Sequence, residues 1–279
     1  MLRFNQVGKG DANMIFASDL DRTLVYSKRA IEELGEFDKA LLKPIEKKEG
    51  NWVAFMTEAS FFALKELSLN SLFVPVTTRT TDQFNRFIIF KEDIPLKYAI
   101  TSNGANILFK GEPMIDWSAH ILNRMQAESV TQEELLAILK REGFQFDGQM
   151  KQAENLFFYF ILNSLPPADN RKAINDIAVS YGWRTSIQGR KLYFIPCAIS
   201  KGTALEFISN REGMEVIAGS GDSILDWDFL KNCQYRFVPA HGELARVSGT
   251  SNYTLTKNHG VAAGEEILQQ FQKLLHLNV

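Results

Sequence analysis

Met14-Ile15-Phe16-Ala17-Ser18-Asp19-Leu20-Asp21-Arg22-Thr23-Leu24 is the stretch whose reading decides the fold. An apolar run stops at two acids spaced one apart, followed by a hydroxyl and another apolar residue. The run reads as a buried strand with Asp19 at its end. In a parallel α/β sheet, groups at the carboxyl ends of strands stand where ligands bind. Asp-x-Asp alone also suits glycosyltransferase metal sites, calcium loops and solvated turns. Its meaning therefore depends on partners elsewhere in the chain.

The chain has 279 residues, enough for one large domain or two moderate ones. With 45% hydrophobic and 23% charged residues its composition is that of an ordinary globular protein. The formal net charge of −2 offers nothing to nucleic acid or an anionic membrane. Cys197 and Cys233 are far apart and lack metal-spaced histidines, so both read as buried thiols of a reducing compartment. The start, Met1 to Gln6, has no long apolar core, and no run reaches membrane-spanning length. A cytoplasmic protein is expected.

Beyond Asp21 the text turns polar, and Lys28 to Gly50 is crowded with charge. This insert is expected to border the strand end or to be a solvated loop. Thr57 reads as the N-cap of a helix to Leu67. Leu72 to Thr77 is a second strand candidate, against which Pro75 argues because it cannot donate to a ladder. A helix from about Thr81 to Phe90 and a third strand, Tyr98 to Thr101, follow. Asn103-Gly104 then marks a sharp turn.

From Ile107 to about Ile195 the pattern changes. Thr131 and Glu134 form a capping box, Asn155 to Leu162 is a strong strand, and Trp183 to Ile195 reads as a hairpin. This is an α+β module inserted into the first unit. Its aromatic run Phe157 to Phe160 reads as the core side of a small sheet. The parallel pattern resumes with a helix capped by Ser200, strands at Val216 to Ala218 and Tyr235 to Pro239, a short strand near Tyr253 to Leu255, and a C-terminal helix.

Asp19 and Asp21, Thr77, Lys201, and Asp222 with Asp226 all stand at strand ends or a helix start. If the strands share one parallel sheet, these groups converge. Crowded carboxylates need a counter-charge, and Mg²⁺ prefers such oxygens. A metal, an ammonium and a hydroxyl around one free carboxylate suit phosphoryl capture, attack on phosphorus and formation of an acyl phosphate. A second acid two residues on can serve as general acid and base. Lys201 is notable because a cation at a helix start opposes the helix dipole.

This order resembles the haloacid dehalogenase (HAD) superfamily of phosphohydrolases. Asp19-Leu20-Asp21-Arg22-Thr23-Leu24, Thr77-Thr78-Arg79, Lys201-Gly202 and Gly221-Asp222-Ser223-Ile224-Leu225-Asp226 are similar to its four motifs. Ser102-Asn103-Gly104-Ala105 and the large insert are similar to the Cof-type, class IIB branch, which includes sucrose-, trehalose- and mannosylglycerate-phosphate phosphatases. The charged insert with Asp-Arg-Thr-Leu resembles a tellurium-resistance-associated branch. The resemblance spans about Met14 to Leu275.

It implies an α/β fold: a Rossmann-like core with a parallel sheet (residues 1–106 and 196–279) and an inserted α+β cap (residues 107–195). It further implies Asp19 as nucleophile, Asp21 as general acid/base, and Mg²⁺ held by Asp19, the Asp21 carbonyl and Asp222 with Asp226 in support. Thr77 and Lys201 would grip the phosphoryl group, and Thr78, Arg79, Asn103 and Arg190 complete the expected substrate contacts. Specificity is expected in the cap, at tips such as Asn155, Tyr159, Arg190, Lys191 and Tyr193. Arg22 replaces a common glycine, and Leu225 stands where relatives often carry Asn. The expected activity is Mg²⁺-dependent hydrolysis of a small phosphate ester, a sugar phosphate above all. The alternatives are a sugar phosphomutase and a non-catalytic ligand-binding protein.

Overall fold

The computed structural model describes residues 14–35, 38, 41–247 and 252–277. Met14–Ser18 is a fully buried strand, second from one edge of a five-stranded parallel sheet. It pairs with Glu215–Ser220 on one side and Leu72–Pro75 on the other, and Tyr235–Val238 and Thr254–Leu255 extend the sheet beyond Glu215–Ser220. Alternation sends Phe16 to one face and Ile15 and Ala17 to the other. The Phe16 face is covered by helices Glu58–Asn70 and Gly260–Leu277, with Phe16 and Phe271 ring centroids 5.2 Å apart. Helix Lys201–Glu212 supplies Ala204, Leu205 and Ile208 to the opposite face. Burying one such large apolar side chain contributes about 1.5–3 kcal/mol.

Pro75 is the last residue of the sheet's edge strand, where it costs nothing: Val76 N donates to Ser18 O at 2.7 Å and maintains the ladder. Tyr98–Thr101, expected as a third strand of the series, lies instead in a separate antiparallel sheet with Asn106–Phe109 and Glu112–Pro113. A single parallel bridge, Val76 to Ile100, joins it to the core strands.

Two local expectations change through tertiary contact. The helix expected from Thr81 to Phe90 is two short helices, Thr81–Phe84 and Ile89–Glu92. Between them Arg86–Ile88 pairs with the insert, Ile88 N donating to Ile45 O at 2.9 Å, so those backbone groups are withdrawn from a helical ladder. The insert itself is built: helix Lys28–Leu34, capped by Ser27, and strand Leu42–Lys48 paired with Asn51–Thr57.

Residues between Ile115 and Pro196 form helices Ile115–Glu128, Gln132–Arg141 and Ala168–Ser180 with a four-stranded antiparallel sheet. Phe158, Phe160, Leu192 and Phe194 face these last two helices in a core of their own. Phe157, Tyr193 and Ile195 face the parallel unit instead. The aromatic run is thus core on both sides. Strand Gly148–Ala153 had no sequence signal, being mostly exposed and polar, as an edge strand can be. Among the cysteines, Cys233 is buried as expected, but Cys197 is exposed, because it falls just beyond Pro196 where the cap strand ends. No helix among the described residues is long and apolar enough to cross a membrane.

Candidate active site

Strand register brings the acids together. Ser18 pairs with Ser220, their hydroxyls are 2.7 Å apart, and Asp19 N donates to Ser220 O at 2.9 Å. Asp19 and Asp222 therefore leave neighbouring strands at the same edge. Gly221 lets the chain fold back on itself, since a Cβ there would lie 2.4 Å from the Asp226 Cβ. Carboxylate oxygens of Asp19, Asp222 and Asp226 lie within 4.8 Å of one another.

Lys201 is fully buried at the start of its helix, where Ser200 caps by accepting from Gly202 N and Thr203 N. Its amine donates to Asp19 Oδ1 at 2.8 Å and to Asp226 Oδ1 at 2.6 Å. Those two carboxylates explain why a cation stands at an unfavourable helix end. Burial alone would push the Lys201 pKa down, but Asp19 and Asp226 outweigh it and hold the amine above its ordinary value. Asp226 is fully engaged, its second oxygen accepting from Ser223 N at 2.8 Å and Ser223 Oγ at 3.0 Å.

Burial lifts Asp19 from 3.8 to about 7, with Lys201 opposing and Asp226 reinforcing the rise. Burial, and then Asp19 and Asp226, push Asp222 well above the usual carboxylate range. Three carboxylates against one amine leave two negative charges when all are ionised. An all-oxygen donor set with that charge fits a hard divalent cation.

Thr77 is buried, its Oγ1 accepting from Arg79 N at 3.1 Å, which leaves the hydroxyl proton to be donated. Thr78 follows at a half-buried position. Asn103 sits beside Thr77, its amide N donating to Thr77 O at 3.0 Å, with φ of 60°. Its side chain is fully buried, yet Oδ1 and Nδ2 have no partner among the described residues. Buried amides are normally satisfied, so this one awaits a ligand or water. Gly104 allows the close approach, since a Cβ there would lie 2.2 Å from Ser200 O.

Asp21 is bonded outside the buried cluster, though its charge still helps to raise the Asp19 pKa. Its side chain is 45% exposed and both its oxygens accept from Arg79 at 2.6 Å. Arg79 is thus turned onto a protein carboxylate, and Glu46 takes a further contact at 2.8 Å. Arg22 adopts the left-handed φ of 64° that a glycine would take without strain. Its carbonyl accepts from His241 Nε2 at 2.8 Å. Leu225 is buried beside Phe229 in the core and takes no part in the cluster.

The cap sheet meets this edge through two ties. Glu154 accepts from Thr81 N at 2.9 Å and from Asn106 Nδ2 at 2.9 Å, and also from Ser102 Oγ. Arg184 pairs with Asp228 at 2.6 Å and donates to Ile199 O at 2.9 Å. Tyr159 and Tyr193 ring centroids lie 4.9 Å apart, and the hydroxyl pKa of the buried Tyr193 is pushed up by burial first, then by Tyr159 and Asp21. Lys191 lies over the Tyr159 ring. Asn155 is exposed at the turn after Glu154. Arg190 stays apart, exposed in a turn with its carbonyl accepting from Leu162 N. Glu46, Glu154 and Arg184 carried no sequence signal, because their partners are distant in the chain and their neighbours are ordinary polar residues.

No protein-family model and no curated protein matches the sequence. Solved structures do. Sucrose-phosphatase from Synechocystis sp. PCC6803, in complex with sucrose and phosphate, superposes with a TM-score of 0.65 at 14% identity, covering 94% of this chain and 98% of that one. A phosphatase of the HAD superfamily from Bacteroides thetaiotaomicron gives 0.55 at 15% identity, covering 97% and 99%. A trehalose-6-phosphate phosphatase related protein gives 0.52 at 14% identity, covering 95% and 100%. The chain has the fold of the HAD phosphatases: a Rossmann-like α/β core with an inserted α+β cap.

Proposed function

We propose that the protein is a Mg²⁺-dependent phosphomonoester hydrolase that acts through an aspartyl-phosphate on a small phosphorylated metabolite, with sugar phosphates the favoured class. One observation carries this reading. Asp19 ends a parallel strand with Lys201 at 2.8 Å, Thr23 Oγ1 at 3.3 Å, and Asp222 and Asp226 oxygens within 4.8 Å. Residues 1–106 and 196–279 act as the catalytic unit and 107–195 as the cap that contacts the leaving group.

Asp19 and Asp222, with the Asp21 carbonyl, are the groups that would hold Mg²⁺, with Asp226 supporting from behind. When bound, the cation neutralises charge on the phosphoryl oxygens and on Asp19. Lys201 donates to Asp19 Oδ1 and Thr23 Oγ1 to Oδ2, which keeps the carboxylate aimed while Oδ2 retains a lone pair for attack. Thr77, whose proton is uncommitted, and Asn103, whose side-chain amide is unpartnered among the described residues, would donate to the phosphoryl group. An Asp19 oxygen forms a bond to phosphorus as the P–O bond to the alcohol breaks, and Asp21 protonates that alcohol. Asp21 then takes a proton from water, which attacks phosphorus and releases phosphate while restoring Asp19.

The sugar assignment draws on the paired Tyr159 and Tyr193, amphipathic rings whose planes are tilted by 34° and whose kind suits a sugar face. The likeness to a phosphatase solved with sucrose and phosphate points the same way. The free thiols agree with a cytoplasmic enzyme. A panel of phosphorylated sugars and other metabolites, assayed with Mg²⁺ for released phosphate, tests the reading. Turnover should appear in the wild type and vanish in Asp19→Asn. Inactivity of the wild type on the whole panel refutes hydrolysis, and an isomerised sugar phosphate with little free phosphate would indicate a mutase.

A further inference from the structure

The insert supplies a feature that the proposed chemistry does not use. In strand Leu42–Lys48 the two consecutive residues Ile45 and Glu46 are both buried, against the alternation of a solvated strand. The register slips on either side of Glu46: Pro44 faces Phe55, Glu46 faces Ala54 and Lys47 faces Trp52. Such a bulge re-aims a side chain. The strand's other edge is held by Arg86–Ile88, Lys47 N donating to Arg86 O at 3.2 Å and Ile88 N to Ile45 O at 2.9 Å. Glu46 is therefore fixed by backbone on both sides.

A glutamate that is 2% exposed requires compensation. Arg79 Nη1 lies 2.8 Å and Arg86 Nε 2.9 Å from its oxygens. These are charge contacts whose N–H vectors miss the oxygens rather than aligned hydrogen bonds. The guanidinium of Arg79 also lies 4.4 Å over the Phe87 ring, and its other edge grips both oxygens of Asp21. The guanidinium is a rigid planar fork, so anchoring one edge sets the aim of the other.

We propose that Glu46 is a positioning residue: through Arg79 it holds the Asp21 carboxylate in the orientation for proton transfer to the leaving alcohol. This rests on the reading of Asp21 as general acid. The Asp21 side chain is 45% exposed and would otherwise rotate freely. Arg79 takes one lone pair on each oxygen, and each oxygen keeps another for the transferred proton.

The test uses the full chain and two esters. p-Nitrophenyl phosphate has a leaving group that departs without a proton, whereas glucose 6-phosphate expels an alkoxide that needs one. General acid catalysis is worth about 10²–10⁴-fold, so partial misplacement should cost about tenfold. Glu46→Gln should lower kcat on glucose 6-phosphate about tenfold more than on the aryl ester, with KM little changed. Asp21→Asn should show the same bias, more strongly. The ratio of the two rates in one sample does not depend on the fraction folded. Glu46→Met/Arg86→Met, which replaces the inner ion pair by apolar side chains, is a second variant with the same expected bias. If the wild type spares glucose 6-phosphate, the most active alkyl phosphate of the metabolite panel takes its place, and a wild type inactive on the aryl ester and the whole panel removes the hydrolase reading and this inference with it. An unbiased Asp21→Asn removes the acid role and likewise ends it. A biased Asp21→Asn beside unbiased Glu46→Gln or double variant overturns the positioning role alone.

Discussion

Replacing Asp19 by Asn should separate the stability of the site from its chemistry. The Asp19 carboxyl is lifted from 3.8 to about 7, chiefly by burial. At about 1.4 kcal/mol for each pKa unit, the metal-free folded state disfavours the anion by about 4 kcal/mol relative to the unfolded chain. Between pH about 4 and 7 the folded state keeps a proton that the unfolded chain has lost. Metal-free wild type therefore loses stability as pH rises through that window, and the loss is complete above 7. Asparagine carries no charge and keeps an acceptor for Lys201. With chelator at pH 8 the variant should gain about 2–4 kcal/mol, seen as a Tm rise of at least about 4 °C by circular dichroism. The gain should shrink to about 1–2 kcal/mol at pH 5, while phosphate release stays at background throughout. A variant less stable than wild type at pH 8, or a gain that does not shrink on acidification, would refute the reasoning.

His241 is held neutral: Nε2 donates to Arg22 O at 2.8 Å and Nδ1 accepts from Gly260 N at 3.2 Å, and burial pushes its pKa below 6.5. The unfolded chain takes the proton first, so His241 should cost stability as pH falls below about 6.5. With Mg²⁺ present, the Tm difference between wild type and His241→Gln should narrow or reverse there; a pH-independent difference contradicts the assignment. Gly104→Ala combines a φ of +103° with a Cβ placed 2.2 Å from Ser200 O, and should cost about 2–4 kcal/mol in denaturant titration. Arg184→Met removes the 2.6 Å pair with Asp228 and the bond to Ile199 O. A loss of about 1–3 kcal/mol is expected, and cleavage within residues 107–195 should quicken in limited proteolysis.

Much of the fold was legible because its signals are local. Thr57, Thr131 and Ser200 cap their helices by accepting from amides two or three residues on, so each could be read from its own neighbourhood. The buried run ending at Asp19 needed only its own composition. The candidate site was legible as far as its acids, its lysine and Thr77, since each marks an element boundary. The direction of Arg79 was not, nor was the isolation of Arg190, because both depend on how the chain packs against residues far away. The break at Arg86–Ile88 belongs here too, as the aromatic spacing suits a helix and only the insert strand overrides it.

Taken alone, the amino-acid order determined the buried strand ending at Asp19, the helices with local caps, and which acids end their elements near one another. Helix caps and alternating burial act over two to four residues, so they are written in consecutive letters. Packing decided the rest: that Lys201 bonds Asp19 across 182 positions and Asp226 across 25, that Asp21 is clasped by Arg79, and that Glu46 is turned inward by a bulge. Those pairings depend on strand register and on buried charge finding its complement, and neither exists until distant segments meet.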